Sequence, residues 1–303
     1  MTVPVIRSLT QGDAHLFDSL RDPGLVGRAA FGHRWATVAD GGEYRPEWTR
    51  VALRDGVVVA RAAWWGGPED TEPVILNWFD VAEGEDAAGA ELLRTAPWSV
   101  EYELIVPPGW RDLPAVRAAA GARIAAAEAA GMKPLVERYR YEWTPADGLP
   151  ERPGRLVFRE EPDDAVILDV LRRVHSRTLD AHALRAIEGP GGLEQAAQEE
   201  LDFFHWCPSP RSWWQLAHTP DGALAGIHVP ARNPGGPCIG FIGVVPEARG
   251  HGYGYDLLVE STHVLAGEGA TSVAGSTDVG NVPMAAAFAR AGHRVIQERV
   301  HLR

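Results

Sequence analysis

The sequence predicts an α+β fold built twice in tandem, each copy a mixed, mostly antiparallel β-sheet flanked by helices. Two observations lead to this prediction. The order of strand and helix patterns is the same in both halves, and the helices do not alternate regularly with single strands. Residues 144–154 are rich in proline and glycine and are predicted to be a linker. The predicted domains are therefore residues 1–143 and 155–303.

The first half begins with a short apolar run that predicts a strand and continues with a helical pattern over residues 12–22. Asp55-Gly56 predicts the turn of a hairpin over residues 48–65, because this dipeptide supplies the positive φ that a tight turn needs. The following patterns predict strand 72–81, helix 86–96, strand 98–108, helix 115–131 and strand 133–143.

The second half repeats this order. Its hairpin, over residues 212–231, is predicted to turn at Asp221-Gly222. Acidic residues open the first helix, where the positive end of the helix dipole favours them. The predicted strands are 155–161, 237–246, 271–279 and 293–302, and the predicted helices are 163–180, 193–207, 253–269 and 282–292.

Composition narrows the classes of partner. The formal net charge of −12 disfavours nucleic acid, whose phosphates need clustered cations, and favours a cationic or amine partner. The two cysteines are too few for a disulfide framework or a thiolate zinc cluster, and no metal is predicted. The first residues lack a signal-peptide pattern and no long apolar window predicts a membrane span. A cytoplasmic protein is expected, and a homodimer is compatible with the sequence.

The stretch VVPEARGHGYG, residues 244–254, places three glycines between an apolar strand and a helical pattern. Glycines there let backbone N–H groups converge on a ligand without steric hindrance from Cβ atoms. A helix start adds unpaired donors and a positive dipole end, so phosphate or pyrophosphate is the expected ligand, with Arg249 as a compensating charge. The spacing matches neither the P-loop nor the dinucleotide-binding fingerprint.

ARGHGYG, with Arg249, Gly252 and Gly254, resembles the signature loop of the GCN5-related N-acetyltransferases. NVPMAAAFARAGH, with Asn281 and Gly292, resembles a later motif of the same family. The motifs span residues 239–293, and the order of elements extends the resemblance over residues 150–303.

The resemblance implies acetyl-CoA as co-substrate and transfer of its acetyl group to the amine of a small molecule, by direct attack on the thioester in a ternary complex. A protein or peptide amine is the alternative acceptor, and a non-catalytic acyl-CoA sensor is the alternative function. The implied cofactor-binding residues are Val244, Val245, Arg249, Gly250, His251, Gly252, Tyr253, Gly254, Asn281 and Phe288.

The catalytic groups are less well marked. Phe288 stands where many family members carry a tyrosine acid, and the strand before the loop has no glutamate. Tyr255 is one candidate for the acid, beside Tyr253, Ser276 and Thr277. His228 and Asp278 are candidates for the base, with a hydrogen-bonded strand histidine and a helix cap as their structural alternatives. The first half lacks the glycine spacing and is predicted to be a degenerate copy that binds no CoA.

Overall fold

The structure, a computed structural model, describes residues 2–303. These residues divide into two compact units. The first unit contains the chain up to Glu137 together with Gln297–Arg303, and the second contains Arg138–Ile296. No helix in the described chain is long and apolar enough to cross a membrane.

Twelve strands and seven α-helices form over the described residues. The strands are β1 (Val5–Ser8), β2 (Thr49–Arg54), β3 (Val57–Trp65), β4 (Ile75–Val81), β5 (Glu101–Val106), β6 (Pro134–Trp143), β7 (Val157–Glu160), β8 (Gln215–His218), β9 (Leu224–Asn233), β10 (Gly236–Val244), β11 (Val273–Asp278) and β12 (Arg294–Leu302). The helices are α1 (Asp86–Arg94), α2 (Pro114–Ala129), α3 (Asp164–His175), α4 (Ala181–Glu188), α5 (Gly192–Trp206), α6 (Tyr253–Gly267) and α7 (Val282–Arg290).

Each unit contains six strands with mixed pairing, and the two sets of six have the same arrangement. The strand order is β1-β2-β3-β4-β5-β12 in the first unit and β7-β8-β9-β10-β11-β6 in the second. All neighbouring strands are antiparallel except β4 with β5 and β10 with β11. A helix, α1 or α6, connects the two strands of each parallel pair. The predicted α+β fold with two similar sheets is confirmed.

The last strand of each sheet comes from the other half of the sequence. Residues 298–302 of β12 pair with β5, and residues 138–143 of β6 pair with β11. The units therefore differ from the predicted division at residues 143 and 155. Periodicity shows that a segment is a strand, but it does not identify the strand with which it pairs. The predicted linker belongs to the second unit, where Arg152 pairs with Glu260 of α6.

Local sequence patterns predicted most of the remaining helices and strands. Asp55 and Gly56 have φ of 51° and 81° and form the predicted turn between β2 and β3. The pattern over residues 12–22 forms a 3-10 helix, Gln11–Ser19, in place of the expected α-helix. The sequence reading missed α4, which is short and separated from α3 by only a few residues.

Helices pack on both faces of the second sheet. Successive residues of β10 point to opposite faces. The Phe241 ring contacts Phe204 of α5, with ring centroids 5.6 Å apart. Ile242 instead packs with Leu258 of α6 and with α7 residues, including Phe288. Helices α3 and α5 thus pack on one face of the sheet and helices α6 and α7 on the other, against different side chains of β10.

A buried ionic cluster holds the first unit together. Arg123 of α2 donates to Asp80 of β4 at 2.7 Å and also pairs with Asp22. Arg61 of β3 binds the other oxygen of Asp80, at 2.8 Å. Burial alone would raise the pKa of Asp80, but Arg123 and Arg61 hold it below its usual value. The cluster links α2 to the centre of the sheet.

Replacing Arg123 by methionine is expected to lower the free energy of unfolding by about 3–5 kcal/mol, because Asp22 and Asp80 stay buried without their cation. Urea unfolding followed by tryptophan fluorescence measures the loss. Arg94→Met, at a side chain that is 60% exposed, is the control and should change stability by less than about 0.5 kcal/mol. Equal losses in the two variants would contradict a stabilising role for the cluster.

Candidate active site

The parallel strands β10 and β11 separate almost as soon as they meet. Over the described residues their ladder contains the single pair Cys238–Ala274. A bulge follows Ile239 and shifts the register of β10 against β9. A Cβ at position 240 would lie 2.7 Å from the carbonyl oxygen of Val229, so the bend requires the glycine there. Beyond the bulge, β10 stays paired with β9 on one side and borders an opening on the side of β11.

The glycine-rich loop, residues 245–252, leads from this strand into α6. Gly250 and Gly252 have φ of 88° and 75°, which favour glycine. In the part of the chain that the structure describes, the five N–H groups of residues 250–254 donate to no protein acceptor. The helix begins at Tyr253 and adds the positive end of its dipole. These features form a backbone cradle suited to an anion.

Arg155 orients the peptide groups of this loop. Its guanidinium donates to the carbonyl oxygens of His251, at 2.9 Å, and Gly252, at 3.4 Å, and to Asp256 of α6. In a trans peptide the carbonyl and the next N–H point in opposite directions. The N–H groups of Gly252 and Tyr253 therefore point away from Arg155. The sequence motif gave no signal for Arg155, which lies far upstream of the loop.

Arg249 has a different position from the one expected. Its guanidinium donates to the carbonyl oxygens of Val244, at 3.1 Å, Val174, at 2.9 Å, and Arg177. These bonds tie the loop to the end of β10 and to the end of α3. Because the donors are directed at carbonyls, the expected compensating charge for pyrophosphate is replaced by a clamp that fixes the loop.

The two valines at the end of β10 use part of their backbone within the protein. The N–H of Val245 donates to Ala225 at 3.1 Å, and the carbonyl of Val244 accepts from Arg249. Val245 is fully buried. These two groups of the implied cofactor-binding residues Val244 and Val245 are therefore already bound, by the neighbouring strand and by the clamp.

Asn281 and Phe288 have structural contacts on α7. Asn281 caps the helix, with its side chain accepting from Met284 N–H at 3.4 Å. The Phe288 ring is 1% exposed and stacks on Tyr141 with centroids 4.2 Å apart. A Cβ at position 275 would lie 2.6 Å from the Phe288 ring, so Gly275 makes room for it. Phe288 is therefore a core residue of the α6–α7 face rather than part of an open site.

His228 is buried without access to a substrate. It is 0% exposed, with Nδ1 2.8 Å from Ser261 Oγ and Nε2 3.0 Å from Gln215 Oε1. Burial lowers its pKa to about 3. Both ring nitrogens have partners and the charged form is disfavoured, so the geometry corrects the prediction of a base to a structural histidine. Tyr255, the predicted acid, is half-buried with the Arg290 guanidinium 3.9 Å from its ring centroid.

Asp278 lies in a polar cluster at the end of β11. Its carboxylate accepts from Ala181 N–H at 2.7 Å and lies 3.1 Å from Arg138 Nε. Burial and the nearby Asp180 raise the pKa of Asp278 above its usual range. His175 of α3 and Glu200 of α5, which the sequence analysis did not single out, belong to the same region.

The equivalent strands of the first unit also separate, but protein groups fill their edges. β4 and β5 pair only through residues 75–76 and 101–102 among the described residues. Beyond this point Arg123 donates to the carbonyl of Phe79 at 3.0 Å, and Gly27 N–H donates to the carbonyl of Ile105 at 2.7 Å. At the start of α1, the carboxylate of Glu85 accepts three hydrogen bonds from Arg54. No cradle like residues 250–254 is formed there.

The chain has the fold of the GCN5-related N-acetyltransferases. It is similar over 99% of its length to such a protein from Sphaerobacter thermophilus, of which 94% is covered, with 17% identity and a TM-score of 0.57. It is also similar over its whole length to 38% of a fungal multi-domain GH3 β-N-acetylglucosaminidase chain that contains a glucosamine N-acetyltransferase region, with 13% identity and a TM-score of 0.53. No protein-family model and no curated protein matches the sequence.

His228 predicts a pH dependence of stability. Its pKa is about 3 in the folded chain and about 6.5 when unfolded, so the unfolded state binds more protons between these values. The contribution of His228 to the free energy of unfolding is fully present above pH 6.5. It falls by about 1.4 kcal/mol per pH unit as the pH decreases toward 3. His228→Gln should lose less stability over this range, measured by urea unfolding at several pH values. The exposed His251→Gln control should follow the wild-type slope.

Proposed function

We propose that the second unit binds acetyl-CoA as a co-substrate and transfers its acetyl group to the amine of a small molecule, by direct attack in a ternary complex. The observation that supports this most directly is the cradle of N–H groups at residues 250–254, beside the opening between β10 and β11. The cradle suits a pyrophosphate, because the nearest acid on α6, Asp256, is 3% exposed and paired with Arg155. The edge of β10 would hold the extended arm of the co-substrate.

Acetyl-CoA supplies a thioester carbonyl that a neutral amine can attack. The residues of this chain then have to bind the amine, take its proton and stabilise the oxyanion. An edge N–H of β10 beyond the bulge would donate to the oxyanion. The leaving thiol has a pKa near that of cysteine, about 8.5, so a dedicated acid is not essential and Phe288 at the usual acid position is compatible with turnover.

The first unit is proposed to bind no CoA. In that unit Arg123 and Gly27 already use carbonyls at the edges of β4 and β5. Glu85 precedes the first residue of α1 and binds Arg54, so this arginine is already used within the protein. The net charge of −12 also supports a cationic amine as acceptor.

A non-catalytic acyl-CoA-binding protein is the second candidate. Phe288 favours it, because a buried, stacked phenyl ring supplies no proton to a leaving thiolate. Thiol release separates the two candidates: a sensor binds acetyl-CoA and releases no thiol with any amine.

Calorimetry with CoA should give one site per chain, and two sites would contradict the proposal for the first unit.

Arg249→Ala removes the clamp on the loop and should weaken CoA binding at least about tenfold, since the N–H groups lose their fixed arrangement. Arg152→Ala, at a 53% exposed side chain, is the control. CoA-thiol release with polyamines, aminoglycosides, amino acids and lysine peptides then tests transfer, which should decrease in the Arg249 variant alone.

A further inference from the structure

The end of α3 and the residues after it cross the opening between β10 and β11. Over β10, the His175 ring lies edge-on to Phe241, with centroids 5.8 Å apart. A Cβ at position 243 would lie 2.7 Å from Val174, so the helix sits directly on the strand. At the other side, Ala181 N–H donates to Asp278 at the end of β11. The segment 175–181 therefore spans the opening from one strand to the other.

Glu200 of α5 meets this segment. Its Oε2 lies 3.9 Å from His175 Nε2. His175 is 3% exposed, and within residues 2–303 neither of its ring nitrogens has a hydrogen-bond partner. A buried histidine with two unsatisfied nitrogens lowers the stability of the fold unless a ligand or a moving neighbour supplies the missing hydrogen bonds. The Glu200 side chain is 23% exposed and the His175 side chain 3%, so Glu200 is the more accessible of the two.

We propose that Glu200 is the proton acceptor for the acceptor amine and that His175 positions its carboxylate. This assignment rests on the proposed acyl transfer and adds to it that the acceptor binds as an ammonium ion at Glu200. The Glu200 carboxylate takes one proton from the ammonium group. The neutral nitrogen then forms a bond to the thioester carbonyl carbon of acetyl-CoA. The bond from this carbon to sulfur breaks with its electron pair on sulfur, and a second proton passes from nitrogen to the thiolate. Glu200 returns its proton to solvent, so the cycle releases one proton.

The groups around Glu200 predict how the rate of transfer depends on pH. Burial, with the negative charge of Asp180, raises the pKa of Glu200 to about 8, whereas Arg138 opposes the rise. Burial lowers the pKa of His175, which is therefore neutral beside it. The charged and titratable groups facing this region are His175 of α3, Asp180 and His182 at the start of α4, Arg138 of β6, Asp278 of β11 and Cys207 after α5. Transfer should increase as the pH rises through about 8, where the carboxylate forms.

The test compares CoA-thiol release by the wild type, Glu200→Gln and Glu199→Gln over pH 6–10. The probe is the amine that reacts fastest with the wild type among polyamines, aminoglycosides, amino acids and lysine peptides. Glu200→Gln should lower kcat about 100-fold or more and remove the rise near pH 8, while CoA affinity stays unchanged. Glu199, the next residue on the same helix, is exposed and should leave rate and profile unchanged. His175→Gln should lower kcat and move the pH of the rise, because the residue acts through Glu200.

Each outcome is decisive. A Glu200→Gln variant that keeps the wild-type rate and pH profile overturns the assignment and leaves the proposed function intact. A wild type that binds CoA and releases no thiol with any amine overturns the proposed transfer, and the assignment with it. If Glu200→Gln loses CoA affinity through misfolding, Glu200→Asp replaces it. A fall in kcat of about tenfold or more at unchanged CoA affinity then supports the assignment, and full activity overturns it.

Discussion

The separation of β10 from β11 after one backbone pair is the constraint on which the second unit depends. Strands that diverge leave donors and acceptors on their facing edges, and such groups need partners. The bulge at Gly240 produces the divergence, and Arg249 fixes the neighbouring loop by binding three carbonyls. The cradle at residues 250–254 follows from that rigidity, because its N–H groups converge only while the loop keeps its φ values.

The two units differ in which groups bind the edges of their diverging parallel strands. In the first unit, Arg123 and Gly27 satisfy edge carbonyls, and the arginine is itself neutralised by Asp80 and Asp22. The result is a closed, charged interior whose stability depends on complete pairing. In the second unit the equivalent edge beyond Cys238 has no neighbouring strand and borders the cradle. The same fold can therefore have filled or unfilled strand edges, depending on which groups reach the diverging strands.

Two buried histidines of the second unit show why contacts, rather than residue type, decide a role. His228 has a partner on each ring nitrogen and no exposure, which makes it part of the core. His175 is almost as deeply buried, but among the described residues neither ring nitrogen has a partner, and Nε2 lies 3.9 Å from Oε2 of Glu200, whose side chain is partly exposed. Burial disfavours the charged form of both histidines, but of the two only His175 has unused hydrogen-bonding capacity next to a carboxylate.

The sequence by itself determined the local features: the α+β pattern, the Asp-Gly turns, the two similar halves and the glycine loop. These follow from periodicity and backbone freedom, which depend on neighbours along the chain. Only the tertiary structure decided which strand completes each sheet, that Arg249 binds carbonyls, and that Arg155 orients the loop. It also brought His175 and Glu200 together from separate helices and placed His228 in the core. Such partners are distant in sequence, and no periodic pattern records which side chains meet when helices and strands pack.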